Sequence, residues 1–187
     1  ANRVDEWLYP GLANRQAASQ KPRMGKAPQV LCIGSVLWDI VGHSPSQMQP
    51  GDDVPGRIRR LPGGVAMNIA MALNGFGLRV ALLSALGQDA EGRDLFQCAQ
   101  RMGLITDYLF RSPDLPTDRY IAIEDTNGLI AAIADAHSLE AAGDRILAPL
   151  RDGRLADADR PWAGTVALDG NLSATMLDTI AHGALFD

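Results

Sequence analysis

From Gln29 to Gly42 the chain reads QVLCIGSVLWDIVG, an apolar run interrupted by Gly34-Ser35. Such a run suits a central strand of a parallel sheet, buried on both faces, and predicts one strand ending near Asp39. Between Met67 and Gly77 the apolar residues Ile69, Ala70, Leu73 and Phe76 recur at helical spacing, with Gly77 placed to stop the helix in a left-handed conformation. Arg79 to Ala85 predicts a second buried strand. Asp89 to Met102 predicts a second helix, with Leu95, Phe96, Ala99 and Met102 on one face and Gly103 behind it. This β-α-β-α alternation points to an α/β fold, a doubly wound and mostly parallel sheet with right-handed crossovers.

The period changes at Arg119. Tyr120–Glu124 and Leu129–Ile133 read as two strands joined by Asp125-Thr126-Asn127-Gly128, where Asn127-Gly128 is expected to supply positive φ angles. The stretch 43–61, rich in Pro and Gly, is expected to add an irregular strand, making a small inserted β lid over one mouth of the main sheet. Residues 138–160 read as helical or irregular. Thr165–Leu168 is a last short strand running into Asp169-Gly170-Asn171, after which Ser173 caps a helix through Met176, Leu177, Ile180 and Ala181. Residues 1–28, broken by Pro10-Gly11, Pro22, Gly25 and Pro28, read as an irregular arm before an α/β domain over 29–187.

Composition narrows the partners. With 47% hydrophobic and 21% charged residues in 187, the chain has ordinary globular character. A net charge of −5 with scattered basic residues argues against nucleic acid, which selects clustered Lys and Arg. No apolar run reaches membrane-spanning length and no signal-peptide pattern is present, so a cytoplasmic protein without a membrane partner is expected. Cys32 and Cys98 are far apart and read as reduced thiols. His43, His137 and His182 have no spacing for metal or nucleophilic work, so no metal site is expected, and Trp38 is expected to pack.

Ligands of an open parallel sheet gather beyond the carboxyl ends of its strands. Three polar groups fall at such places: Asp39, the cluster Gly63, Gly64 and Asn68, and the pair Asp169 and Asn171. A carboxylate accepts from two vicinal hydroxyls, glycines admit backbone amides closely, and Asn both donates and accepts, which together suit a small polyhydroxylated ligand. Each also has a plainer use. Asp39 can cap a strand end, Asn68 can start a helix, and Asp-Gly-Asn is good turn chemistry. Asp135 reads as structural. A dinucleotide-dependent oxidoreductase fits poorly, because Gly34-Ser35-Val36-Leu37 is no G-x-G-x-x-G.

Gly63, Gly64, Ala66, Asn68, Ala70, Gly77 and Gly87 stand at the spacing of the N-terminal signature of the ribokinase-like (PfkB) carbohydrate kinases, which the chain resembles over residues 30–187. Gly87-Gln88-Asp89-Ala90-Glu91-Gly92 looks like the family's G-x-D-x-x-G. Ile133-Ala134-Asp135 and Leu168-Asp169-Gly170-Asn171-Leu172-Ser173 look most like pseudouridine kinases and their nucleoside-kinase relatives. The resemblance implies that Asp39, Gly63, Gly64 and Asn68 bind a sugar or nucleoside, that Asp169 and Asn171 sit toward the phosphate-transfer zone, and that 119–133 forms a lid serving also as a homodimer contact. It implies ATP and Mg²⁺ as cofactors of the complete enzyme.

The family's second signature, a threonine-rich stretch leading to Gly-Ala-Gly-Asp with the catalytic Asp, has no match here. Ala142-Gly143-Asp144 lacks the threonines and the first glycine. The 187 residues are therefore expected to hold no catalytic base, to bind sugar weakly at best and not to catalyse transfer. The alternative is a non-catalytic sugar-binding or regulatory module of the same fold. With only part of a sheet, the isolated chain is expected to self-associate or aggregate.

Overall fold

In the computed structural model the described residues are 27–187, so the predicted N-terminal arm lies almost wholly outside them. The core sheet is parallel, in the order β4 (Val80–Leu83), β1 (Val30–Ile33), β9 (Thr165–Leu168), with Val30 level with both Val80 and Thr165. Strand alternation turns Leu31 and Ile33 to one side and Val30 and Cys32 to the other. The first side packs on α3 (His137–Ala142), a 3-10 stretch at Gly143–Leu150 and α4 (Ala174–His182), through Leu139, Ile146, Leu147 and Met176. The second packs on α1 (Val65–Gly75) and α2 (Ala90–Arg101), through Met67, Ala70, Leu95 and Ala99. Helices cover both faces, which is the doubly wound arrangement. Each fully buried Leu or Ile here contributes about 1.5–3 kcal/mol.

Beside this sheet, β5 (Ala85–Gly87) pairs in parallel with β6 (Phe110–Ser112). The predicted strand 79–85 is thus two short strands either side of Ser84. The second sheet is the lid, in the order β3 (Arg57–Gly63), β2 (Leu37–His43), β7 (Arg119–Asp125), β8 (Gly128–Asp135). β2 pairs antiparallel with β3 and parallel with β7, and β7 with β8 forms the expected hairpin.

The single strand predicted over 29–42 is corrected to two strands in two sheets. Gly34, at φ +145°, and Ser35 turn the chain out of the core, and β2 continues as the second strand of the lid. Asp39 therefore sits in the middle of a lid strand rather than at the end of a core strand. An apolar run reads alike in both places, which is why periodicity does not show the break. Other expectations shift less. α1 begins at Val65, and Phe76, expected on its apolar face, caps it and is 84% exposed. Gly77 does take the left-handed conformation, at φ +86°. In the hairpin only Gly128 has positive φ; Asn127 does not, and its amide is held by the Asp125 carboxylate at 2.7 Å. Ser173 caps α4 as expected, its Oγ accepting from the Met176 amide at 3.2 Å.

Candidate functional site

The turn from β3 into α1 and the turn from β1 into β2 lie against each other, and three glycines make this possible. A Cβ on Gly63 would run into the Asp39 carboxylate, one on Gly64 into the Ser35 carbonyl, and one on Gly34 into the side chain of Asp169. Gly64 also has φ +92°, a region that favours glycine. The glycine pair singled out in the sequence thus lets the lid strand β2 lay Asp39 directly over the start of α1. Across the sheet Asp39 is level with Leu61 on β3 and Tyr120 on β7.

Asp39 is half-buried, and burial pushes its carboxyl above the usual carboxylate range. No described residue donates a hydrogen bond to it. A partly desolvated carboxylate without protein donors is an acceptor with room for hydroxyls. Asn68 lies one helical turn further on, exposed, its amide bonded to the Gly64 carbonyl at 2.9 Å. The structure therefore brings Asp39, Gly63 and Gly64 together, with Asn68 on the same first stretch of helix.

Asp169 and Asn171 lie just beyond the end of β9. Asp169 is fully buried. Its Oδ2 accepts from the Ser35 amide at 2.9 Å and the Ser35 hydroxyl at 2.5 Å, and its Oδ1 accepts from the Asn171 amide at 2.8 Å. These bonds make it an interior tie between β9 and the β1–β2 turn. Asn171 is exposed just beyond it. Asp135 is hydrogen-bonded to His137 at 2.9 Å on the surface, and Asp144 forms an exposed ion pair with Arg151 at 2.8 Å.

Sequence reasoning missed Ser35, Thr117 and Asp118, which secure the base of the lid. Asp89 caps α2 and accepts from the Gly92 amide at 2.7 Å, the Thr117 amide at 2.8 Å and the Thr117 hydroxyl at 2.6 Å. Burial pushes Asp89 up, but the Thr117 and Gly92 hydrogen bonds outweigh it and its carboxyl ends below the usual range. A Cβ on Gly87 would meet the Leu115 carbonyl at 2.7 Å, which is the physical reason for glycine there in the G-x-D-x-x-G stretch. Asp118, buried, accepts from the Ser138 and Leu139 amides at 3.0 and 2.9 Å; burial dominates and holds its carboxyl above the usual range. Trp38 is buried and its Nε1 donates to the Glu91 carbonyl at 3.0 Å, with Arg60 stacked 4.3 Å above the ring. Arg119 Nε lies 2.7 Å from Glu91 Oε2, a charge contact rather than an aligned hydrogen bond. Of these residues Asp89 stood out beforehand, at the start of the second helical period and within the G-x-D-x-x-G stretch.

A cavity of about 360 Å³ between Tyr108, Phe110, Arg145, Pro149 and Arg154 belongs to the other helical layer and includes none of these groups. Among the described residues no group of three or more His, Cys, Asp or Glu is placed to hold a metal ion, and no helix is long and apolar enough to cross a membrane.

A profile of the pfkB family carbohydrate kinases matches residues 27–150. The pseudouridine kinase of Escherichia coli (strain K12) is 34% identical over 113 residues, 60% of this chain and 36% of that protein. The uncharacterized sugar kinase YeiI of the same organism is 32% identical over 149 residues, 79% and 40%. The chain thus spans about two fifths or less of the length of these curated relatives. Among solved structures, a carbohydrate kinase from Agrobacterium tumefaciens superposes with TM-score 0.66 at 25% identity, covering 83% of this chain and 50% of that one. A ribokinase from Giardia lamblia, at 16% identity and TM-score 0.65 over 86% and 49%, shares the fold.

Proposed function

The chain belongs to the pfkB family of carbohydrate kinases, and on that premise we propose that it forms the substrate-binding and lid portion of a phosphotransferase acting on a hydroxyl of a small sugar or nucleoside. The observation that carries this reading is the Asp39 carboxylate, half-buried, free of donors from the described residues and laid over the Gly63-Gly64 turn. Pfk-type kinases of this family are phosphotransferases, and relatives named pseudouridine kinase and nucleoside kinase make pseudouridine the first substrate to test.

In this role Asp39 accepts from two ligand hydroxyls, Gly63 and Gly64 let backbone approach the ligand, and Asn68 offers one donor and one acceptor. β2, β7 and β8 exclude water above it. ATP, aided by Mg²⁺, supplies the phosphoryl group. The described residues offer no cluster that fits a metal ion, so no Mg²⁺ ligand is assigned to them. No Gly-Ala-Gly-Asp stretch occurs in the 187 residues, so the part assigned to them is binding and orientation, not proton removal or charge stabilisation on the phosphate.

The far face of the lid carries Ile58, Ile121, Ile123 and Ile133, all exposed, and we assign to it the homodimer contact. A reducing, cytoplasmic setting agrees with two unpaired cysteines, of which Cys32 is buried with its thiol pushed up to about 11. The decisive experiment is an ATP-dependent phosphorylation screen of the full-length gene product over pseudouridine, nucleosides, ribose and fructose. Turnover of one of these that Asp39→Ala abolishes supports the reading. Turnover unaffected by Asp39→Ala overturns it.

A further inference from the structure

We propose that Asp169 is a positioning residue for the substrate cradle, holding Ser35 so that Ser35 in turn caps α1 and fixes the Gly63-Gly64 turn beneath Asp39. α1 cannot cap itself. Its N-cap residue is Gly64, which has no side chain to offer, and a side chain there is forbidden by the Ser35 carbonyl. The free amides of the first helical turn still need acceptors. Ser35 provides them from 30 residues upstream: its Oγ accepts from the Val65 amide at 2.9 Å and its carbonyl from the Met67 amide at 3.3 Å.

A hydroxyl has one proton and can turn either way. An ionised carboxylate can only accept, so Asp169 Oδ2, taking both the Ser35 amide and the Ser35 hydroxyl proton, leaves the Oγ lone pairs for Val65. Asp169 is itself held at the end of β9, its amide bonded to the Ile33 carbonyl at 3.0 Å and its Oδ1 to the Asn171 amide. One buried carboxylate therefore joins the loop after β9 to Ser35, 134 positions away in sequence, and through Ser35 to the first turn of α1. Gly34 belongs to the same construction, because a Cβ there would displace Asp169.

The consequence for binding rests on the substrate reading of Asp39 and the glycine pair; the chain of contacts from Asp169 to Val65 does not. Two measurements keep these apart: hydrogen exchange by mass spectrometry over peptides spanning 63–68, and equilibrium dialysis with pseudouridine and ribose. Asp169→Asn puts an amide donor against the Ser35 or Asn171 donors. It is expected to speed exchange over 63–68 and to weaken binding, each by about tenfold, as Ser35→Ala is. Because both act through one relay, the double variant is expected to bind no worse than the weaker single. Leu147→Ala, a truncation in the helical layer on the opposite face of the core sheet from α1, serves as a destabilised control with unchanged binding. Exchange over 63–68 rising no more in Asp169→Asn than in that control, or additive losses in the double variant, would overturn the proposal. Should Asp169→Asn not fold, Ser35→Ala carries the same expectation. If the unaltered chain binds neither probe while exchange over 63–68 responds as stated, the substrate reading falls and the positioning role stands.

Discussion

The two larger sheets of this protein are held differently. The core sheet is apolar on both faces: every residue of β1 and β4 is buried, and helices close both sides. In the lid, by contrast, all eight residues of β8 are exposed, and β7 buries only Ala122 and Asp125. Hydrophobic burial holds this sheet only near its base, where Leu37 and Trp38 of β2 are buried. Polar ties act at the same end, through Asp89 to Thr117, Asp118 to Ser138 and Leu139, and Trp38 to Glu91. A rigid half carrying a tethered, water-accessible half is the division of labour expected where one element must admit a ligand and then cover it.

If that contrast holds, equal truncations should have unequal effects. Leu83→Ala, in the middle of the core, is expected to cost about 3 kcal/mol in denaturant unfolding. Asp89→Ala removes a helix cap and a lid tie, and is expected to cost about 1–2 kcal/mol, with faster hydrogen exchange concentrated over 117–119. The Asp89 carboxyl is lowered in the folded chain, so its contribution is present above the unfolded value near about 3.9 and lost as pH falls through the folded one. Acidification should therefore release the lid base ahead of the core. A core that exchanges first in acid would reverse the picture.

Asp39 gives a smaller and opposite effect. Its carboxyl is raised by burial, so the folded chain keeps a proton that the unfolded chain has lost, and ionisation lowers stability as pH rises through that window. Asp39→Asn is expected to be slightly more stable than the unaltered chain at neutral pH and no different at pH below the usual carboxylate range, while losing ligand binding. Equal stability at both pH values would remove the strain assigned to this carboxylate. The smallest change is expected from Ile133→Ala, within about 0.5 kcal/mol, because that side chain is 68% exposed. Its mark should instead be reduced self-association in light scattering. A monodisperse monomer for the unaltered chain would count against a role for this face in assembly.

Several of these features were readable from residue order alone. The apolar runs at 30–33 and 80–83, Gly77 after α1 and Ser173 before α4 each declare themselves because their signals are local. The glycine pair stood out for the same reason, although its packing did not: Gly63 is small because of Asp39, 24 positions away, and Gly64 because of Ser35. The turn at Gly34-Ser35 stayed hidden inside an apolar run that serves two sheets equally well. Asp169 looked like turn chemistry, and its own loop does use it that way through Asn171. Its bond to Ser35 has no local trace.

Residue order was sufficient to set the α/β class, most helix starts and the hairpin, since capping, periodicity and turn preferences act within a few residues. The separation into core and lid, the tie from Asp169 to Ser35, and the supply of α1's cap by Ser35 required the folded chain. Those depend on which atoms meet after β1, β9 and α1 have packed, and burial alone turns an ordinary serine and aspartate into parts of one hydrogen-bonded tie.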